Sequence, residues 1–103
     1  RNDDMIILRG VNCFPSQFEE IITEDRVLRP RYQCVLSKRG RMDHLTLVVE
    51  HSPEATPDQI DASAQWLKKQ IKERIGISVG VEIADYVDCG EGKAKRIVDN
   101  RGQ

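Results

Sequence analysis

The shortages in this sequence exclude more than its abundances assert. No apolar run approaches the roughly 18 residues that a spanning helix needs, so no membrane segment is expected. Aromatic residues make up 5% of the chain, which is poor material for an RNA-binding sheet that stacks bases on exposed rings. A formal net charge of -1 lacks the basic excess of a general nucleic-acid binder. The three cysteines, Cys13, Cys34 and Cys89, are odd in number, widely spaced and form no CxxC pair. They indicate neither a zinc site nor a disulfide framework, and a reduced, cytoplasmic setting is expected. The full GxxxxGK[ST] loop of a nucleotide hydrolase is missing, as are internal repeats and low-complexity segments. His44 and His51 have no evident third ligand and read as a turn residue and a surface residue, so no metal site is expected.

What is present fits one small soluble domain: 103 residues, 39% hydrophobic and 32% charged. The chain opens on Arg1-Asn2-Asp3-Asp4 with no initiator Met and no leader-like segment, and it is expected to be cut from a longer protein.

Along the chain, Met5 to Leu8 predicts a first strand. Pro15 opens a helix in which Phe14, Phe18, Ile21 and Ile22 share a face opposite Glu19, Glu20 and Glu24, with the early acidic residues suiting the positive end of the helix. Strands follow over about Tyr32 to Ser37 and His44 to Glu50, joined as a hairpin by Lys38-Arg39-Gly40-Arg41. Leu45, Leu47 and Val49 give the second of these one strongly apolar face.

The clearest element is a helix from Pro57 to Ile75. Thr56 is the N-cap, Gln59 completes a capping box, Gly76 is the stop, and Ile60, Ala64, Leu67, Ile71 and Ile75 form a stripe. Trp66 lies off that stripe and is read as covering a sheet edge or an interdomain surface. Ile77 to Ala84 predicts a last strand, and the chain from about Tyr86 onward is expected to be exposed. The order is close to β-α-β-β-α-β, an α+β fold with a small antiparallel sheet and two helices on one face.

Two segments carry chemistry that packing does not require. In the first, charged residues flank the short opening strand, and Gly10 then permits close backbone approach. Taken by itself, this is also what a polar chain end and an ordinary turn look like. In the second, Glu91-Gly92-Lys93-Ala94-Lys95-Arg96, a lysine directly after glycine can reach a phosphate or carboxylate as a movable point charge. Alone, it is equally a solvated basic tail.

Together the two segments resemble a known family. Arg1-Asn2-Asp3-Asp4-Met5-Ile6-Ile7-Leu8-Arg9-Gly10-Val11-Asn12-Cys13-Phe14-Pro15-Ser16-Gln17-Phe18-Glu19-Glu20 is similar to the hinge-side start of the C-terminal domain in the phenylacetate-CoA ligases, a branch of the adenylate-forming acyl-CoA synthetases. Glu91 to Arg96 resembles the S-E-G-K-A-K-R motif of that branch, although Asp88, Cys89 and Gly90 stand where Pro-Arg-Ser is usual.

The resemblance implies a mobile C-terminal lid of an AMP-forming acid-CoA ligase. Lys93 is implied as the adenylation lysine, Asp3 as the hinge and Arg1 as a nucleotide-proximal residue. Arg9, Gly10 and Val11 are implied as the surface presented to CoA in the thioester step. ATP and CoA are the implied substrates of the whole enzyme, with an aromatic carboxylic acid and Mg2+. The implied partner is the chain's own N-terminal adenylation domain, with homodimerisation left open and no nucleic acid or membrane expected. The isolated domain is expected to be inactive and to hold no cofactor. A small-molecule-sensing regulatory domain of ferredoxin-like topology is the alternative; it would account for the fold but not for both end motifs.

Overall fold

The computed structural model describes residues 5–87 and 97–99. Its elements run β1 (Ile6–Leu8), β2 (Val11–Cys13), α1 (Pro15–Ile22), β3 (Leu28–Arg39), β4 (Met42–His51), α2 (Pro57–Arg74), β5 (Gly80–Ala84) and β6 (Ile97–Asp99). The first two strands form a hairpin of their own, and the other four form a sheet in the order β5-β4-β3-β6.

Helix α2 forms where its caps and periodicity place it. The Thr56 hydroxyl accepts from the Gln59 N–H at 3.2 Å, and the Gln59 side chain accepts from the Thr56 N–H at 2.9 Å. This reciprocal pair satisfies donors that a helix start otherwise leaves bare. At the far end Gly76, at φ +91, bonds back to the carbonyls of Ile71 and Lys72, as a glycine stop does. Leu67 and Ile71 are fully buried, while Ile60, Ala64 and Ile75 are half-buried. Trp66 is partly buried against the core. Helix α1 begins with Pro15 at its first position, so Glu19 and Glu20 lie beyond the first turn and do not serve its N-terminal end. Its start is held instead by the Gln17 side chain, which accepts from the Phe14 N–H at 2.8 Å.

The β3–β4 hairpin pairs Tyr32 with Val49, Cys34 with Leu47 and Leu36 with Leu45. All six are buried, because alternation along both strands sends them to one face. Phe18, Ile21 and Ile22 of α1 and Leu67 and Ile71 of α2 complete the same core, so both helices cover that face. Burying a side chain such as Phe18 contributes about 1.5–3 kcal/mol. The opposite face, with Gln33, Val35, Ser37, His44, Thr46 and Val48, is half-buried.

The α+β class and the helix layer agree with the sequence reading. Four details differ. β2 is an extra strand paired with β1. The last predicted strand starts only at Gly80, with Ile77 and Val79 buried ahead of it. The C-terminal region is not all exposed chain, since Ile97–Asp99 adds a strand beside β3. Both sheet edges are parallel to their neighbours, β5 to β4 and β6 to β3, so the sheet is mixed. The first edge follows from α2, a helical crossover that returns the chain in the direction of β4.

Candidate functional site

Of the residues implied by the resemblance, Arg9, Gly10 and Val11 lie in the described part of the chain, whereas Arg1, Asp3 and Lys93 lie outside the described residues. The described three form the turn between β1 and β2. Leu8 pairs with Val11, leaving Arg9 and Gly10 as the connecting pair, with φ +49 and +82. Positive φ at both central positions is the turn whose twist matches a two-residue hairpin. Gly10 takes this conformation freely, and no other atom of the described chain lies within 4 Å of where its Cβ would be. Its requirement is therefore conformational, since among the described residues nothing crowds that position.

Arg9 does not take this conformation freely. A side chain at positive φ costs on the order of 1 kcal/mol and persists where the surroundings fix it. One fixing contact is clear: the Arg9 guanidinium donates to the Ser78 carbonyl at 2.6 Å, joining the turn to the segment that leads into β5. Val11 is half-buried and packs against the core, so the turn stands on a fixed base.

Beside this turn the edge of the sheet carries features that the sequence did not reveal. His44 lies in β4, not in a turn, and a Cβ at Gly80 would approach its Nε2 to 3.3 Å and the Thr46 Oγ1 to 3.4 Å. A glycine at the start of β5 thus leaves room for the imidazole. Burial holds the His44 ring below its ordinary value, and the Arg39 and Arg9 charges push the same way. Burial pushes the Cys13 thiol up, against the pull of Arg9, which leaves it an inert packing group. Cys13 and Cys34 are both fully buried.

A second cluster, also unseen in the sequence, lies at the other end of β4. Glu50 is 7% exposed. Its carboxylate accepts from the Val87 N–H at 3.0 Å and from the Arg31 Nε at 3.2 Å, and the Arg31 Nη2 donates to the Val87 carbonyl at 3.1 Å. The contacts link β3, β4 and the chain beyond β5, with partners 37 and 56 positions apart. No local pattern announces them. Among the described residues no group of three or more His, Cys, Asp or Glu is placed to hold a metal. No helix among the described residues is long and apolar enough to cross a membrane.

Comparison with known proteins gives this geometry its context. The family described as the AMP-binding enzyme C-terminal domain matches residues 10–101. Phenylacetate-coenzyme A ligase of Aromatoleum evansii is 44% identical over 98% of this chain and 24% of its own length. A crystal structure of a domain of phenylacetate-coenzyme A ligase from Bacteroides vulgatus superposes with a TM-score of 0.85 at 32% identity, covering 96% of this chain and 94% of that one. A structure of 2-hydroxyisobutyryl-CoA ligase with 2-HIB-AMP and CoA, in the thioesterification state, gives a TM-score of 0.86 at 25% identity, over 98% of this chain and 22% of that one. The chain spans about a quarter of the length of the curated relatives it matches. These relatives are ligases, and the regulatory alternative draws no support from them. Matched from residue 10 to residue 101, the chain belongs to the family of AMP-binding enzyme C-terminal domains.

Proposed function

We propose that this chain is the C-terminal lid of an AMP-forming acid-CoA ligase acting on an aryl acetate such as phenylacetate. The observation that carries the reading is the 44% identity to a phenylacetate-coenzyme A ligase over 98% of the chain. In the first step a carboxylate oxygen attacks the α-phosphorus of ATP, and pyrophosphate leaves. In the second the CoA thiol, losing its proton, attacks the acyl carbon, and AMP leaves.

Lys93 supplies a cation between two anionic reactants in the first step, offsetting their repulsion and orienting the attack. Asp3 is the hinge, where a few backbone dihedrals absorb the turn of the domain, and Arg1 lies near the nucleotide. For the second step the Arg9-Gly10-Val11 turn is the presented surface. Support for that assignment comes from its build: a tight hairpin tip, with Gly10 uncrowded by any other described residue and Arg9 tied down to Ser78. The larger N-terminal domain holds the acid and most of the ATP, and the enzyme works in the cytoplasm. A two-fold pair of such enzymes is compatible with this arrangement.

The test is Lys93→Ala in the full-length ligase. Acyl-adenylate formation, read as pyrophosphate release, should fall by about 10²–10³-fold, the scale of losing one charge-stabilising group. Thioester formation from supplied acyl-adenylate should be largely retained. Equal loss in both halves would remove Lys93 from the role given to it.

A further inference from the structure

Asparagine and glycine are the usual residues where a two-residue hairpin turn needs positive φ. The first central position of the β1–β2 turn holds neither. Arg9 stands there at φ +49, an outlier that asks for a reason beyond the turn itself. Its length supplies one. The Arg9 Nη2 donates to the Ser78 carbonyl at 2.6 Å, across 69 positions of sequence. Glycine has no side chain to make that contact, and an asparagine amide ends well short of it.

The carbonyl that Arg9 reaches is firmly held. Ile77 and Val79, on either side of Ser78, are 3% and 5% exposed, so the core grips the backbone before and after it. Gly76 ends α2 just ahead, and the pairing of β5 with β4 begins just beyond, at Gly80 with Thr46. Ser78 thus falls between helix and ladder, where a backbone carbonyl needs a partner that neither element supplies. Arg9 provides it, and a charged donor makes such a bond short and directional. A second observation puts the guanidinium over the same edge. Burial and the Arg39 charge hold the His44 ring below its ordinary value, the Arg9 charge adds to them, and His44 lies beside Gly80.

The turn is therefore held from two sides. Leu8 is fully buried and Val11 packs against the core, which fixes where the arms of the hairpin leave the domain. The bond from Arg9 to Ser78 fixes how its tip leans towards β5.

We propose that Arg9 is a positioning residue for the thioester step: it acts through the backbone of the turn, which its bond to Ser78 holds in one orientation, and not through contact with CoA. This rests on the reading of the Arg9-Gly10-Val11 turn as the surface presented in that step. An arginine that met the CoA phosphates would act on binding, whereas one that holds the tip acts on the geometry of attack. The two differ in which kinetic constant moves.

The experiment compares Arg9→Ala, Arg9→Gly, Arg9→Lys and Gly10→Phe in the full-length ligase. Each is assayed for thioester formation from supplied acyl-adenylate over a range of CoA concentrations, and separately for pyrophosphate release from ATP and acid. Misplacing a group by about an ångström can cost about 10²-fold. Arg9→Ala should therefore lower the thioester kcat by about 10- to 10²-fold, with the KM for CoA little changed and pyrophosphate release retained. Arg9→Gly should be as slow, because it removes the tie even though it also removes the strain of positive φ. Arg9→Lys should recover part of the rate, since its ammonium can still donate to a single carbonyl.

A raised KM for CoA at unchanged kcat would make Arg9 a binding contact and overturn the proposal. So would full activity in Arg9→Gly, which would reduce the role to backbone conformation, or an Arg9→Lys no faster than Arg9→Ala. Equal losses in both half-reactions, which misfolding would also produce, overturn it too. Gly10→Phe puts bulk on the tip without removing the tie. If it spares thioester formation, the turn is not the presented surface and the functional reading fails. If it blocks thioester formation while Arg9→Ala leaves it intact, only the positioning role fails.

Discussion

The hydroxyl of Tyr32 donates to the carbonyl oxygen of Pro15 at 3.0 Å, inside the core. Tyr32 is fully buried on β3, and Pro15 is the first residue of α1, so the bond fixes where the first helix meets the sheet. Tyr32→Phe keeps the ring and removes the donor. It should lower stability by about 1 kcal/mol, the usual net worth of a buried hydrogen bond. Urea denaturation of the 103-residue chain should show a lower midpoint with an unchanged slope. A midpoint equal to the parent's would mean that the hydroxyl adds nothing to the packing of its ring.

At the hairpin tip the test is of conformation against space. Gly10 sits at φ +82, with nothing among the described residues beyond its chain neighbours within 4 Å of the place a Cβ would take. Gly10→Ala should therefore cost about 1 kcal/mol: a left-handed penalty of about 1–2, partly offset by a less disordered unfolded chain. Gly10→Asn should cost less, since asparagine tolerates this region. Equal losses for the two, measured by denaturation, would show that bulk and not backbone geometry sets the requirement.

His44 gives the pH dependence of the same surface. Its folded value lies below the ordinary one, first through burial and then through Arg39 and Arg9. The sign follows from linkage: above the unfolded value, about 6.5, the neutral ring is present in both states and its contribution is complete. As pH falls from there through the folded value, the unfolded chain takes up the proton first and the contribution is lost. An NMR titration should place His44 below about 6.5, and Arg9→Ala should move it part of the way back. A complete return would make Arg9, not burial, the main cause.

Legibility in the sequence followed the range of the interactions. Helix α2 is written locally: Thr56, Pro57, Gln59 and Gly76 mark its ends, and its stripe has the helical period. The β3–β4 hairpin is equally local, with Gly40 at φ +64 in its turn. By contrast, β2 is only Val11–Cys13, too short to show alternation. β6 exists because Cys34, far back in the chain, offers Ile97 a partner. The parallel edges escaped notice for the same reason, because direction is decided by the crossover and not by the strand's own residues.

The site divides along similar lines. Arg9 and Gly10 could be singled out from a glycine after a charged residue, and the structure adds the positive φ at both positions. Glu50 looked like the polar end of a strand. Its importance comes from the backbone of Val87, and no pattern of side chains records a backbone partner. Gly80 was hidden too, since what it makes room for, His44, is on the neighbouring strand.

The order β5-β4-β3-β6 also ranks the strands by how early they can join during synthesis. The central hairpin closes as soon as its tight turn is made, whereas β5 must wait for α2. β6 must wait for the chain to come back across to the far edge, a longer closure with a larger entropic cost. It is also the last of these strands to leave the ribosome. A nascent or C-terminally clipped chain that ends before Ile97 would still carry the buried residues of the core, the hairpin tip and the contacts of Glu50 with Arg31 and Val87. It would lack the parallel partner that Cys34, Val35 and Leu36 find in Ile97–Asp99, so that edge of β3 would stay bare until the last strand arrived.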